Sequence, residues 1–168
     1  MPTIISGDGT ITGLTATGIS AVQNLPAGSV IQVVNAISTT ANGTTTSLVD
    51  TGLTATITPK FSTSRVVVLV MQNFYAFSGG TDNGVFFSLV RNGTTIYTPP
   101  TSTGNSFYIF TSGVTNEFWA NYPINYVDSP ATTSAVTYKT QMQGNSGSTI
   151  NAQAGSTPST IILMEIAA

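Results

Sequence analysis

Ten side chains of the 168-residue sequence ionise near neutral pH: Asp8, Asp50, Asp82, Glu117, Asp128 and Glu165 against Lys60, Arg65, Arg91 and Lys139. There is no histidine and no cysteine. General acid–base catalysis draws most often on His, or on two carboxylates whose pKa values are pushed apart. Here the acids are spread along the chain with no local pair. Hydrolysis through Ser or Cys needs a base beside the nucleophile, and only two lysines are on offer. Two distant carboxylates could in principle be folded together for glycoside hydrolysis, but nothing in their spacing asks for it. The expectation is a protein that is not an enzyme and uses no cofactor.

Asp82-Asn83-Gly84 and Gly7-Asp8-Gly9 carry calcium-type residues but lack the further spaced oxygens of a Ca²⁺ loop. Both read as turns, and no metal site is expected. Asp128-Ser129-Pro130 reads as an Asx-type turn that starts the connection to the next strand. Arg65 opens the most apolar run of the chain, where an inward position would require a partner to offset desolvation. Glu165 lies in an apolar terminal run; Ile162, Met164 and Ile166 would share the other face, and Glu165 is expected to point outward.

Charged residues make up 6 % of the chain, against about 25 % in ordinary globular domains. Ser, Thr, Asn, Gln and Gly must therefore cover the surface, and a net charge of −2 does little to keep copies apart. Such a surface suits a protein packed into an assembly. Duplex binding requires several cations neutralising phosphates, so four scattered ones argue against nucleic acid as a partner. The apolar stretch 66–71 is far shorter than the roughly 20 residues of a membrane span, so no membrane insertion is expected. The N-terminal MPTIISGDGT lacks the basic and apolar regions of a signal peptide.

The elements that must position these residues read as strands. Apolar residues come in short, β-branched runs broken by turn residues, as in a sandwich or barrel. Strands are expected at 29–37, 53–59 (led into by 47–50), 65–71 with 74–77 ending it, 85–91, 94–97, 106–110, 117–122, 124–127, 135–142, 149–152 and 160–166, a count of nine or ten that suits a two-sheet jelly roll. In 53–59, Leu53, Ala55 and Ile57 share one face and three threonines the other. The run 65–71 is apolar at every position after Arg65, which predicts a central strand covered on both faces. Asn92-Gly93 between two such runs is a strong type I′ hairpin signal. Residues 1–28 differ: Ile4, Ile5, Ile11, Leu14 and Ile19 stand isolated amid Gly, Thr and Ser. This segment is either a flexible leader or an extended attachment arm whose apolar residues anchor the body to a larger particle. Pro26-Ala27-Gly28 marks the joint, and 29–168 forms the β-sandwich head.

Aromatics crowd one region: Phe107, Tyr108, Phe110, Phe118, Trp119, Tyr122 and Tyr126. Some must be core. Aromatics also dominate subunit interfaces and sugar-binding surfaces, and Phe107, Tyr108, Phe110, Trp119 and Tyr122 are the candidates for a subunit interface.

Four stretches in order carry a resemblance: GSVIQVV at 28–34, VDTGLTATITPKFSTSRVVVLV at 49–70, NYVDSPATTSAVTYKTQMQ at 125–143 and the terminal STIILMEIAA. The set resembles the head domain of tail-fibre and other virion structural proteins of tailed phages, cyanophages among them. That resemblance implies a jelly-roll-like antiparallel β-sandwich, similar in outline to tumour-necrosis-factor and C1q heads, and a homotrimer located on the virion. Only 28 residues precede the head, too few for a long shaft. A short fibre on the tail and a capsid cement or decoration protein fit equally, with other virion proteins as partners. The alternative is a tail receptor-binding module gripping host surface glycan through the Ser-, Thr-, Asn- and Gly-rich loops 78–84, 99–106 and 144–148.

Overall fold

Alternation along each strand decides which side chains meet between two sheets. A computed structural model describes residues 25–44, 46–99, 106–110 and 113–168, with the backbone of two short strands, β1 (Ile4–Ile5) and β2 (Ile11–Thr12), that pair antiparallel. The remaining strands are β3 (Val30–Ser38), β4 (Asn42–Thr44), β5 (Val49–Ile57), β6 (Arg65–Gly79), β7 (Asn83–Arg91), β8 (Thr94–Tyr97), β9 (Phe107–Ile109), β10 (Thr115–Asp128), β11 (Val136–Gly144), β12 (Ser148–Ala152) and β13 (Ser159–Ile166). A 3-10 turn, Ala154–Ser156, joins the last two. The protein is all-β, a jelly-roll-like antiparallel sandwich.

The larger sheet is ordered β3-β13-β6-β12-β4, with β10 along the free side of β6. The smaller runs β5-β11-β7-β8, with β9 also on β7. Residues 65–71 and 74–77 are one 15-residue strand, β6, with 74–77 ending it as the sequence suggests; its first half pairs with β13 and its second with β12 while β10 spans both. Residues 117–122 and 124–127 are one strand, β10, with Pro123 inside it. Proline has no N–H for a ladder, and β10 tolerates it because it is an edge strand paired only to β6. The short β4 falls within a Thr/Gly-rich stretch that reads as loop. At the hairpin between β7 and β8, Asn92 and Gly93 have φ of 46° and 87°, the two positive angles of a type I′ turn.

Leu53, Ala55 and Ile57 of β5 face inward as the alternation predicts, with Tyr138 and Met142 of β11 beside them in the core. Phe74 is the hub of the aromatic core. Its ring meets Phe87 at 5.0 Å, Phe118 at 5.8 Å and Phe107 at 6.1 Å, all edge-to-face, the geometry favoured by the ring quadrupole.

One layer of this interior is polar. Thr51 and Thr140 hydroxyls share a hydrogen bond, Thr140 Oγ1 donates to Gln72 Oε1 at 2.9 Å, and Gln72 Nε2 donates to Ser159 Oγ at 2.9 Å. Gln153 closes the network, its nitrogen donating to Thr51 O at 2.9 Å and its oxygen accepting from Ser159 Oγ at 3.0 Å. All five residues are buried. Burial of polar groups is tolerated because each finds a partner. The network ties β5 and β11 of one sheet to β6 and β13 of the other.

Three expectations are corrected. Within this chain β6 is covered on one face only: Val66, Val68 and Val70 are buried, whereas Val67 and Leu69 are half-buried and Met71 is exposed. Glu165 points inward, not outward, on the same face as Ile161 and Leu163. Its carboxylate is satisfied there by Lys60 N at 2.7 Å, Phe61 N at 3.2 Å and the Gln32 amide. Asp128 is not a turn-forming Asx residue. Its buried carboxylate accepts from Arg91 Nη1 at 2.8 and 2.9 Å and from the Tyr138 hydroxyl at 2.7 Å.

Candidate functional site

The two sheets differ sharply on their outer faces. Outside the smaller sheet, β5 and β11 present threonines, glutamines and one ion pair. Thr56 and Thr137 hydroxyls meet at 2.8 Å, and Asp50 accepts from Lys139 Nζ at 2.6 Å and Gln141 Nε2 at 2.8 Å. Burial raises the Asp50 carboxyl, but these two donors outweigh it and hold it below the usual range. This is an ordinary solvated surface.

Outside the larger sheet, β3, β13, β6 and β10 align three rows of side chains. Val33, Met164, Val67 and Val127 form the first; Asn35, Ile162, Leu69 and Asn125 the second; Ile37, Thr160, Met71 and Pro123 the third. None of these twelve side chains is charged, and Arg65 stands only at the margin, opposite Ile166. Val33, Ile37 and Val127 are 57 %, 62 % and 56 % exposed. Single apolar side chains scattered over a surface need no explanation, but a contiguous uncharged block marks an interaction face. Sequence reasoning missed this block. Its signal was the run 65–71, whose apolar residues on both faces imply that something covers each.

The aromatic cluster is divided by the alternation of β10. Phe118 and Tyr122 turn inward, where Phe118 meets Phe107 at 4.8 Å and Tyr122 stacks on Phe87 at 5.8 Å. Trp119 turns outward, 60 % exposed, and meets Tyr75 at 5.1 Å. Phe110 is 79 % exposed, and Tyr108 is exposed with its hydroxyl on Asp82. The five candidate interface residues therefore do not form one surface. Of the arm residues, Leu14 and Ile19 lie outside the described residues, as does Asp8; Ile4, Ile5 and Ile11 are described as backbone alone. Where the chain enters the head, Ser29 N donates to Pro26 O at 3.1 Å in a tight turn, and Gly28 N donates to Ala167 O at 2.9 Å.

Loops 78–84 and 144–148 adjoin at one end of the sandwich. Asn145 N donates to Gly84 O at 2.9 Å, and Gly84 N to Ser148 Oγ at 3.2 Å. Of the loop 99–106, only its two ends are among the described residues, and Ser106 N donates to Val85 O at 2.7 Å.

No family model matches the chain, and no curated protein matches it. Among solved structures, the chain is similar to a chain of infectious bursal disease virus Gt strain, with 14 % identity and a TM-score of 0.39, covering 82 % of this chain and 38 % of that one. A second similar structure is the VP2 subviral particle of the same virus, with 12 % identity and a TM-score of 0.38, covering 83 % and 38 %. The chain thus spans well under half the length of these neighbours. A third is dimeric latent PorU from Porphyromonas gingivalis, with 12 % identity and a TM-score of 0.29, covering 86 % of this chain and 14 % of that one.

Proposed function

We propose that this chain is a bacteriophage virion structural protein, a homotrimeric short fibre or capsid cement protein whose residues 1–28 attach it to the particle. The observation that carries the reading is the uncharged apolar block on β3, β13, β6 and β10. A surface almost devoid of charge elsewhere supports it, as does the ordered resemblance of residues 28–168 to phage virion heads. The work of such a protein is mechanical. It needs a rigid β-head and contact area, and no reacting group.

The apolar block is the trimer face in this reading. A cyclic trimer joins copies head-to-tail through two different patches, and the block supplies the apolar one. Val33→Asp together with Ile37→Asp places two charges where a neighbour would desolvate them, while both side chains are solvent-exposed in a single copy. Light scattering coupled to size-exclusion chromatography should report a trimer for the parent and a folded monomer for the variant. A variant that stays trimeric refutes the assignment of the face. The particle location is tested separately by gold labelling of virions, and the arm by removing residues 2–24. The shortened head should still trimerise but no longer incorporate into particles.

A further inference from the structure

Beyond the apolar block the same sheet face changes character. One row past Met71 and Pro123, Asn73 and Asn121 stand opposite each other; in the next row stand Tyr75 and Trp119. A cleft of about 190 Å³ opens here, lined by Trp119, Asn73, Asn121, Ala154 and Thr157 among others. We propose that this cleft binds a single neutral pyranose ring, the terminal or branch sugar of a glycan. The proposal depends on neither the oligomeric state nor the particle location.

Four observations converge. First, Trp119 is held but not covered. Tyr75 flanks it, and Gly155 lies at the ring's edge, where a Cβ would make ordinary van der Waals contact at 3.4 Å. Its remaining surface is open to solvent. A π-face is electronegative and matches the weakly positive C–H face of a pyranose. Second, the polar lining consists of groups suited to hydroxyls, with geometry already fixed. Asn73 Nδ2 donates to Pro158 O, which leaves Oδ1 to accept; Thr157 Oγ1 donates to Ala154 O at 2.8 Å, which leaves its lone pair. The exposed Asn121 amide offers both a donor and an acceptor. Third, no cation lies nearby among the described residues. Lys139 pairs with Asp50, Arg91 with Asp128, Lys60 lies at Glu165 and Arg65 at the far end of β6. The neighbouring charge is Glu117, which accepts from the Tyr75 hydroxyl at 2.7 Å. Phosphate and acidic sugars are thereby disfavoured. Fourth, the volume is below the roughly 300 Å³ of sites for larger ligands, which limits the occupant to one ring.

Trp119 is the only tryptophan in the chain, so its emission reads the site directly. The full chain is titrated with the methyl pyranosides of glucose, galactose and mannose and with N-acetylglucosamine. Sorbitol serves as a hydroxyl-rich control without a ring face. At least one pyranose should shift the emission saturably and protect it from acrylamide, with a Kd of about 1–10 mM, and sorbitol should do neither. Asn121→Ala keeps the fluorophore and should weaken binding about fivefold or more. No saturable response to any of the four sugars up to about 100 mM, ten times the expected Kd, overturns the proposal. So does a response that sorbitol reproduces or that Asn121→Ala leaves unchanged. An emission change that follows protein concentration and not sugar would make Trp119 a protein contact, and the proposal would also fall.

Discussion

Replacing Arg91 with leucine should lower the stability of the fold by about 3–5 kcal/mol, because it strands a buried carboxylate. Asp128 ends β10 in the larger sheet with a side chain only 7 % exposed, while Arg91 ends β7 and Tyr138 lies on β11, both in the smaller sheet. Arg91 Nη1 and the Tyr138 hydroxyl supply three hydrogen bonds that clamp the two sheets together. Burial, and then the bond to Asp128, push the Tyr138 hydroxyl far above its ordinary acidity range, so it stays protonated and stays a donor at any working pH. Leucine retains bulk but offers no donor. For a domain of this size each kcal/mol is worth about 2–4 °C, so the Tm should fall by roughly 10 °C or more. Adding Asp128→Asn removes the stranded charge and should restore a large part of the loss, a coupling measurable in a double-mutant cycle. A loss below about 1 kcal/mol would class the pair with exposed ion pairs that contribute little.

The strands and the Asn92-Gly93 turn were legible in the sequence because their signals are local. Positive φ at two adjacent residues, and alternation of Leu53, Ala55 and Ile57 against threonine, depend on no distant partner. Which face of an apolar strand is the core is a different question, and there the sequence is silent. In β13, Ile161 and Leu163 alternate with Ile162 and Met164, and in β6, Val66, Val68 and Val70 alternate with Val67 and Leu69. When both faces are apolar, alternation no longer tells inside from outside, so Glu165 could be placed on either. That ambiguity carries information. An antiparallel sheet with one wet face shows polar residues on that face, and β5 and β11 do so. The strands β3, β6 and β13 do not, and the apolar block lies on the face their sequences leave undecided. The aromatic crowd was misleading for a related reason. Pro123 breaks the pattern into two apparent strands, and only its place on an edge reveals one strand whose alternation sends Phe118 and Tyr122 inward and Trp119 outward. Asp128 read as a turn residue because its partners lie 37 and 10 positions away, beyond the reach of any local rule.

Glu165 provides the acid-sensitive element of the same fold. Burial raises its carboxyl, but the Gln32 amide, the neighbouring Ser64 hydroxyl and the backbone N–H groups of Lys60 and Phe61 outweigh burial and hold it below the ordinary value of 4.5. A group whose pKa is lower folded than unfolded stabilises the fold above its unfolded pKa, and that contribution is lost as pH falls through the folded one. Stability should therefore be level above about pH 5 and decline below about pH 4.5 as the carboxylate gains a proton. Asp50 shifts the same way, but its side chain is 48 % exposed, so solvent screens most of its effect. Glu165→Gln separates the two. At neutral pH the variant should be less stable by about 2–3 kcal/mol, since charge-assisted bonds to two backbone donors become neutral ones. Its new Nε2 would also face Gln32 Nε2, which cannot turn away without giving up its bond to Thr58 O. As pH falls below the ordinary carboxyl value the gap between variant and parent should narrow, because the unfolded parent then binds a proton that the folded one takes up only at lower pH. Urea midpoints from pH 7 to pH 3 measure both quantities, and parallel curves for the two proteins would show that Glu165 does not govern the acid response.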